Sequence, residues 1–128
     1  MEIRFLIEPS IAAMAAIRAD ETDIKNILTA CKNTEKLLLA NKNHAEKDIA
    51  FHTAIALSSK NIVVPKLVPI INSSIPLIRE SAKFTMRDET IEIHREIADA
   101  IAAHDAVRAH DAMYLHLIYN RKHIKSIN

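Results

Sequence analysis

Residues 48–52 read Asp48-Ile49-Ala50-Phe51-His52, and they organise the whole chain. In a helix they set a carboxylate and an imidazole at i and i+4, one above the other on a single face. The segment around them, from about His44 to Ser58, continues that face with Ile55 and flanks it with Ile49 and Phe51. Two further histidines, His94 and His116, take core-facing positions in the last two helical segments. Three imidazoles and one carboxylate directed into one bundle interior make a candidate metal site.

The composition agrees with helices throughout. Among 128 residues there is no glycine, and there are four prolines. Tight hairpins and sheets usually require glycine at positive φ, so its absence argues against an all-β or Rossmann-like fold. Apolar residues make up 49% but aromatics only 4%, so the core has to be built from Ile, Leu, Val, Met and Ala. The length suits one domain over residues 1–128.

Charge narrows the function. Seventeen Lys and Arg balance sixteen Asp and Glu, which is not the basic excess of a nucleic-acid-binding surface. The basic cluster of Arg121, Lys122, His123 and Lys125 fits the C-terminal end of a helix, where cations complement the macrodipole. The single cysteine, Cys31, excludes an internal disulfide framework and suits a cytoplasmic setting. It falls on an apolar stripe and reads as a small core residue. No signal peptide is visible, and the apolar run Ile62–Ile71 is broken by Lys66 and prolines, so no membrane span is expected.

Taken in order, the chain gives six segments. The first, Glu2 to Ala19, has Ile3, Ile7, Ile11, Met14 and Arg18 at helical spacing, with Pro9 expected to kink or restart it. Asp20 reads as the N-cap of a second helix, with Asp23 in its first turn and Ile24, Ile27, Leu28, Cys31 and Leu38 as its stripe. The third helix carries the central motif. A fourth segment, Asn61 to about Lys83, contains Pro65, Pro69 and Pro76 and is expected to be a kinked or interrupted helix. Asp88 is a plausible cap for a fifth helix over about Glu89–Ala102, and Asp105 for a sixth reaching about Ile124. Ala109, Met113, His116, Leu117 and Asn120 form the inward side of the sixth. The expected fold is all-α, an antiparallel bundle of six or seven helices around a central ligand and metal pocket.

The seven histidines separate into two groups. His44, His104, His110 and His123 lie near helix ends or on mixed faces and read as solvated or capping residues. His52, His94 and His116 lie within apolar stripes. Singly, such a histidine is more often a hydrogen-bonded core residue than a ligand. Together with Asp48 they favour a shared cation, because each buried polar group without a partner costs roughly 1–3 kcal/mol. Nitrogen and carboxylate ligands suit Zn, Ni, Mn or a similar divalent transition metal better than Mg or Ca. No HExxH motif or ExxH pair accompanies them, and Glu96 is on a different face from His94, so it is a poor candidate for the general base of a hydrolytic site.

Three stretches carry a family likeness. They are Glu2-Ile3-Arg4-Phe5-Leu6-Ile7-Glu8-Pro9 with Ala15-Ala16-Ile17-Arg18-Ala19, then Asp48 to Ala56 with Ser58-Ser59-Lys60-Asn61, then His94 to Ile101 with Asp105, Met113 and His116. In order and spacing they resemble the FCD domain, the C-terminal effector-binding domain of FadR-type regulators in the GntR transcription-factor family. The likeness covers nearly the whole chain. It implies a helical bundle around a ligand pocket, and the spacing of His52, His94 and His116 fits the family's metal-binding branch, in which residues matching Asp48, His52, His94 and His116 hold a divalent cation whose coordination a small carboxylate effector completes. Arg4 matches a family arginine able to pair with that carboxylate, and Arg79 is a weaker candidate for the same role. The Ser58–Asn61 turn lacks the glycine usual there.

The expected function is therefore a sensor and not an enzyme: metal and a small organic acid bind in the bundle and control attached DNA-binding domains. A homodimer is expected, since such regulators read paired half-sites. The winged helix–turn–helix of such regulators does not precede the first helix here, so no direct nucleic-acid binding is expected of this segment. Two alternatives stand beside this reading: a small helical metalloenzyme using a metal-bound water, or a metal-free helical interaction module.

Overall fold

A computed structural model describes the backbone of residues 2–82 and 87–127, and the side chains of residues 2–73 and 87–121. It is all-helical: α1 Glu2–Arg18, α2 Glu21–Leu39, α3 Ala45–Ser58, α4 Val64–Ala82, α5 Arg87–Ala102 and α6 Ala106–Ile127. These six form one α bundle, with α1 packed on α6, α3 and α5, α2 on α3 and α5, and α3 on α4.

Helix starts follow the residues that the sequence offers. Asp20 caps α2 in a reciprocal box: its carboxylate accepts from the Asp23 amide at 2.8 Å, and the Asp23 carboxylate accepts from the Asp20 amide at 3.0 Å. Asp105 accepts from the Arg108 amide at 3.1 Å and so caps α6. Asp88 is not a cap. It lies inside the first turn of α5, where its charge still complements the positive end of the helix dipole.

Helix ends show how the chain manages without glycine. Asn41, Lys60 and His104 take φ of 54°, 56° and 56°, the left-handed conformation that glycine usually supplies at this point. After α2 the amide of Lys42 bonds the carbonyl of Leu37 at 2.9 Å and that of Asn41 bonds Leu38 at 3.1 Å. After α5 the same Schellman pair recurs, Asp105 to Ala100 at 2.9 Å and His104 to Ile101 at 3.0 Å. In the Ser58–Asn61 turn Lys60 adopts the left-handed φ. Its ammonium lies 2.7 Å from Asp23, tying this exit to the start of α2.

Prolines interrupt less than expected. α1 continues through Pro9, and α4 runs unbroken from Val64 to Ala82. Pro65 is in the first turn of α4, where an amide has no helical partner to lose. Pro69 sits one turn later, so it forfeits only one bond of a long ladder. α6 extends beyond Ile124 to Ile127.

The core is built from small and branched aliphatics. α1 buries Ile11, Ala12, Ala15 and Ala16; α5 buries Ile97, Ala98 and Ile101; α6 buries Ala109, Ala112, Met113 and Leu117. The alanines let helix axes approach closely. The inward face of α1 differs from the stripe expected from the sequence. Ile3 is 44% exposed and Arg18 is exposed, whereas Arg4 and Glu8 are buried. Two charged residues thus take the places that an apolar-periodicity reading assigns to isoleucine, and the next subsection shows why.

Candidate metal centre

Three helices bring the histidines together. α3 supplies His52, α5 supplies His94 and α6 supplies His116, each at most 3% exposed. One ligand nitrogen from each lies within 4.8 Å of the others. The rings pack on one another, His52 and His116 nearly parallel with centroids 5.5 Å apart, His94 and His116 edge-on at 4.9 Å. Phe51 is fully buried and closes one side, its ring 4.9 Å from that of His94.

Asp48 stands beside two of the three. Its Oδ1 is 3.7 Å from Nε2 of His52 and 3.5 Å from Nε2 of His94, and Asp48 is itself buried. The i, i+4 relation on α3 stacks it below His52, and the packing of α5 on the bundle delivers His94.

The sequence reading missed Glu8. This residue, 3% exposed, lies with Oε1 2.9 Å from Nδ1 of His52, and its other oxygen, Oε2, receives a hydrogen bond from Nε of Arg4. Burial alone pushes the Glu8 carboxyl upward, but the adjoining His52 and Arg4 outweigh it and hold the group below the usual carboxylate range. A carboxylate oxygen at that distance accepts from Nδ1 of His52, and in the neutral ring Nε2 is then the bare nitrogen. Nε2 of His52 is buried and has no hydrogen-bond partner among the described residues. The signal for Glu8 was its i, i+4 spacing from Arg4, on the face that also holds Ile11 and Ala15.

Arg4 is also buried, at 1% exposure. Its Nη1 and Nη2 have no hydrogen-bond partner among the described residues. Arg79 lies on α4 outside the residues whose side chains are described. His44 is buried instead of solvated and gives α3 no side-chain cap. His104 is placed as expected at a helix end, and its Nδ1 donates to the carbonyl of Ala16 at 2.9 Å, pinning the end of α1.

The donor chemistry fits a divalent transition metal. Imidazole nitrogens bind such ions at about 2.0–2.1 Å, so two on one ion are at most about 4.2 Å apart. The histidine nitrogens, within 4.8 Å of one another, lie close to that spacing. The residues that could hold an ion are His52, His94 and His116, with Asp48 as the carboxylate.

Comparison with known proteins places the fold. The family model described as the FCD domain matches residues 1–118. The chain is 31% identical over 125 residues to the uncharacterized HTH-type transcriptional regulator YcbG of Bacillus subtilis, covering 97% of this chain and 52% of that protein. It is 30% identical over 124 residues to the HTH-type transcriptional regulator LutR of the same organism, covering 91% of this chain and 57% of that protein. The solved structure of Streptococcus agalactiae GntR matches with a TM-score of 0.82 at 34% identity, covering 94% of this chain and 56% of that one. The chain thus spans about half the length of the relatives it matches. Those relatives are transcription regulators and not enzymes, and this chain belongs to their FCD domain family.

Proposed function

We propose that this regulatory domain senses a small organic acid through a divalent transition metal held by Asp48, His52, His94 and His116. The observation that supports it is the gathering of three buried imidazoles from three helices to within 4.8 Å. A bound ion of the Zn, Ni or Mn type supplies open coordination positions for a carboxylate oxygen. The protein's own residues do the rest. Glu8 orients His52, and Phe51 shields one side of the cluster from water.

Arg4 is the candidate for the effector carboxylate. Its Nε is committed to Glu8, while Nη1 and Nη2 remain to grip a planar anion. Arg79 is the second candidate for that role. Ligand occupancy regulates only if the two conformations bind it differently. The ligands sit on α3, α5 and α6, so tighter binding in one arrangement of those helices would supply the difference.

In this reading residues 1–128 act as one sensing domain in the cytoplasm, working as a homodimer. DNA is contacted by a winged helix–turn–helix outside these residues. No helix among the described residues is long and apolar enough to cross a membrane.

The test is metal content by elemental mass spectrometry of protein purified without chelator, beside a His52→Ala, His94→Ala variant. About one equivalent of a transition metal is expected in the wild type and none in the variant. Metal-loaded protein is then screened against hydroxy acids, dicarboxylates and sugar acids by thermal shift. No metal uptake after addition of Zn, Ni and Mn would remove the site, and no acid bound by the loaded protein would remove the effector.

A further inference from the structure

We infer that Glu8 is a positioning residue: it fixes His52 in the tautomer whose Nε2 is free to bind a metal, and Arg4 locks Glu8 in that role. The inference rests on the metal reading proposed above, yet its central claim concerns the protein before any ion binds.

Neutral imidazole carries one proton, and only the bare nitrogen can ligate. In free solution both tautomers are populated. Here Nδ1 of His52 lies 2.9 Å from Oε1 of Glu8, in the interior of the bundle. A proton on Nδ1 is bonded, whereas a proton on Nε2 would set two lone pairs, of nitrogen and carboxylate, against each other at that distance. Nε2 meanwhile has no hydrogen-bond partner among the described residues, and lies 3.7 Å from Oδ1 of Asp48, which is itself 3.5 Å from Nε2 of His94. Glu8 itself has little freedom, because Nε of Arg4 holds its second oxygen one helical turn away. The three residues form a line from α1 to α3: guanidinium, carboxylate, imidazole. Partners that bond the non-ligating nitrogen of a metal-binding histidine commonly set affinity by 10–100-fold.

Glu8→Gln separates this role from packing, since the two side chains have the same shape. Arg4 Nε donates, so the glutamine turns its carbonyl oxygen to Arg4 and its NH2 toward Nδ1 of His52. That nitrogen must then accept, and the proton moves to Nε2.

The experiment is long-range 15N–1H NMR of the histidine rings in metal-free protein at pH 8, followed by Zn(II) titration against a chromophoric chelator. Wild type is expected with the His52 proton on Nδ1, and Glu8→Gln with it on Nε2. Zn(II) affinity is expected to fall 10–100-fold in Glu8→Gln. Glu8→Asp, which keeps the charge, is expected to retain the wild-type tautomer and to bind more tightly than Glu8→Gln. A wild-type His52 carrying a proton on Nε2 overturns the inference. So does a tautomer change in Glu8→Gln with no loss of Zn(II) affinity. If wild type shows the Nδ1 proton but takes up no Zn(II), Ni(II) or Mn(II), the metal reading fails while the ordering of His52 by Glu8 stands.

Discussion

Oδ1 of Asp48 on α3 lies 3.5 Å from Nε2 of His94 on α5. The two meet because the helices pack, with no local turn between them. At that distance the carboxylate is close enough to share a cation with the imidazole. Asp48→Asn removes the charge and keeps the shape. A ligand at 100 times its dissociation constant stabilises the folded state by about 2.7 kcal/mol, which for a domain of this size is a rise of roughly 10 °C in Tm. Wild type with excess Zn(II) is expected to show a shift of that order, and Asp48→Asn a much smaller one. Equal shifts in the two proteins would take Asp48 out of the ligand set.

Phe51 supports the histidines from below. It is fully buried, with ring centroids 4.9 Å from His94 and 5.8 Å from His52. Phe51→Ala leaves a cavity under both rings and is expected to cost about 3–5 kcal/mol in urea unfolding of the metal-free protein. A cost below about 1 kcal/mol would mean that the surrounding side chains collapse into the space.

Asn41 tests the glycine-free helix exits. At φ 54° any Cβ crowds the neighbouring carbonyl at a cost of about 1–2 kcal/mol, which the short polar side chain of asparagine offsets by hydrogen bonding locally and alanine cannot. Asn41→Ala is expected to lower stability by about 1 kcal/mol, while Asn41→Gly stays within about 0.5 kcal/mol of wild type. The check is paired urea melts, and an Ala variant as stable as the Gly variant would contradict the expectation.

Cys31 gives the pH dependence. Burial, with Glu35 and Asp99 adding like charge, pushes its thiol from 9.0 up to about 11. The folded state therefore holds the proton more tightly than the unfolded chain. The contribution to stability is fully present below pH 9 and is lost as the pH rises through about 11. Because the thiolate is the nucleophile, iodoacetamide is expected to label folded protein far more slowly at pH 8 than protein in denaturant. Equal rates at pH 8 would show that Cys31 is open to solvent.

Much of this protein is decided by local chemistry and was legible residue by residue. The capping box of Asp20 and Asp23, the cap at Asp105 and the apolar stripes of α2, α5 and α6 depend on spacings of three or four residues, so the sequence displays them directly. Prolines were overweighted, since one lost amide in a long packed helix is a small part of its hydrogen bonding. Cys31 in the core and His52, His94 and His116 on inward faces follow from the same periodicity.

The inward face of α1 was not legible in that way. Burying a lone charge is costly, so a reading by hydropathy turns Arg4 and Glu8 outward and brings Ile3 in. That cost falls only when a partner is present, and half of the partnership comes from another helix: His52 meets Glu8 across 44 residues of sequence. Sequence alone determined that the segments are helices and that His52, His94 and His116 face inward, while packing decided against Asp88 as a cap and buried His44. Tertiary packing decided that a buried carboxylate would stand behind one of those histidines, because only the folded chain brings to Glu8 the imidazole that, with Arg4, makes its burial tolerable.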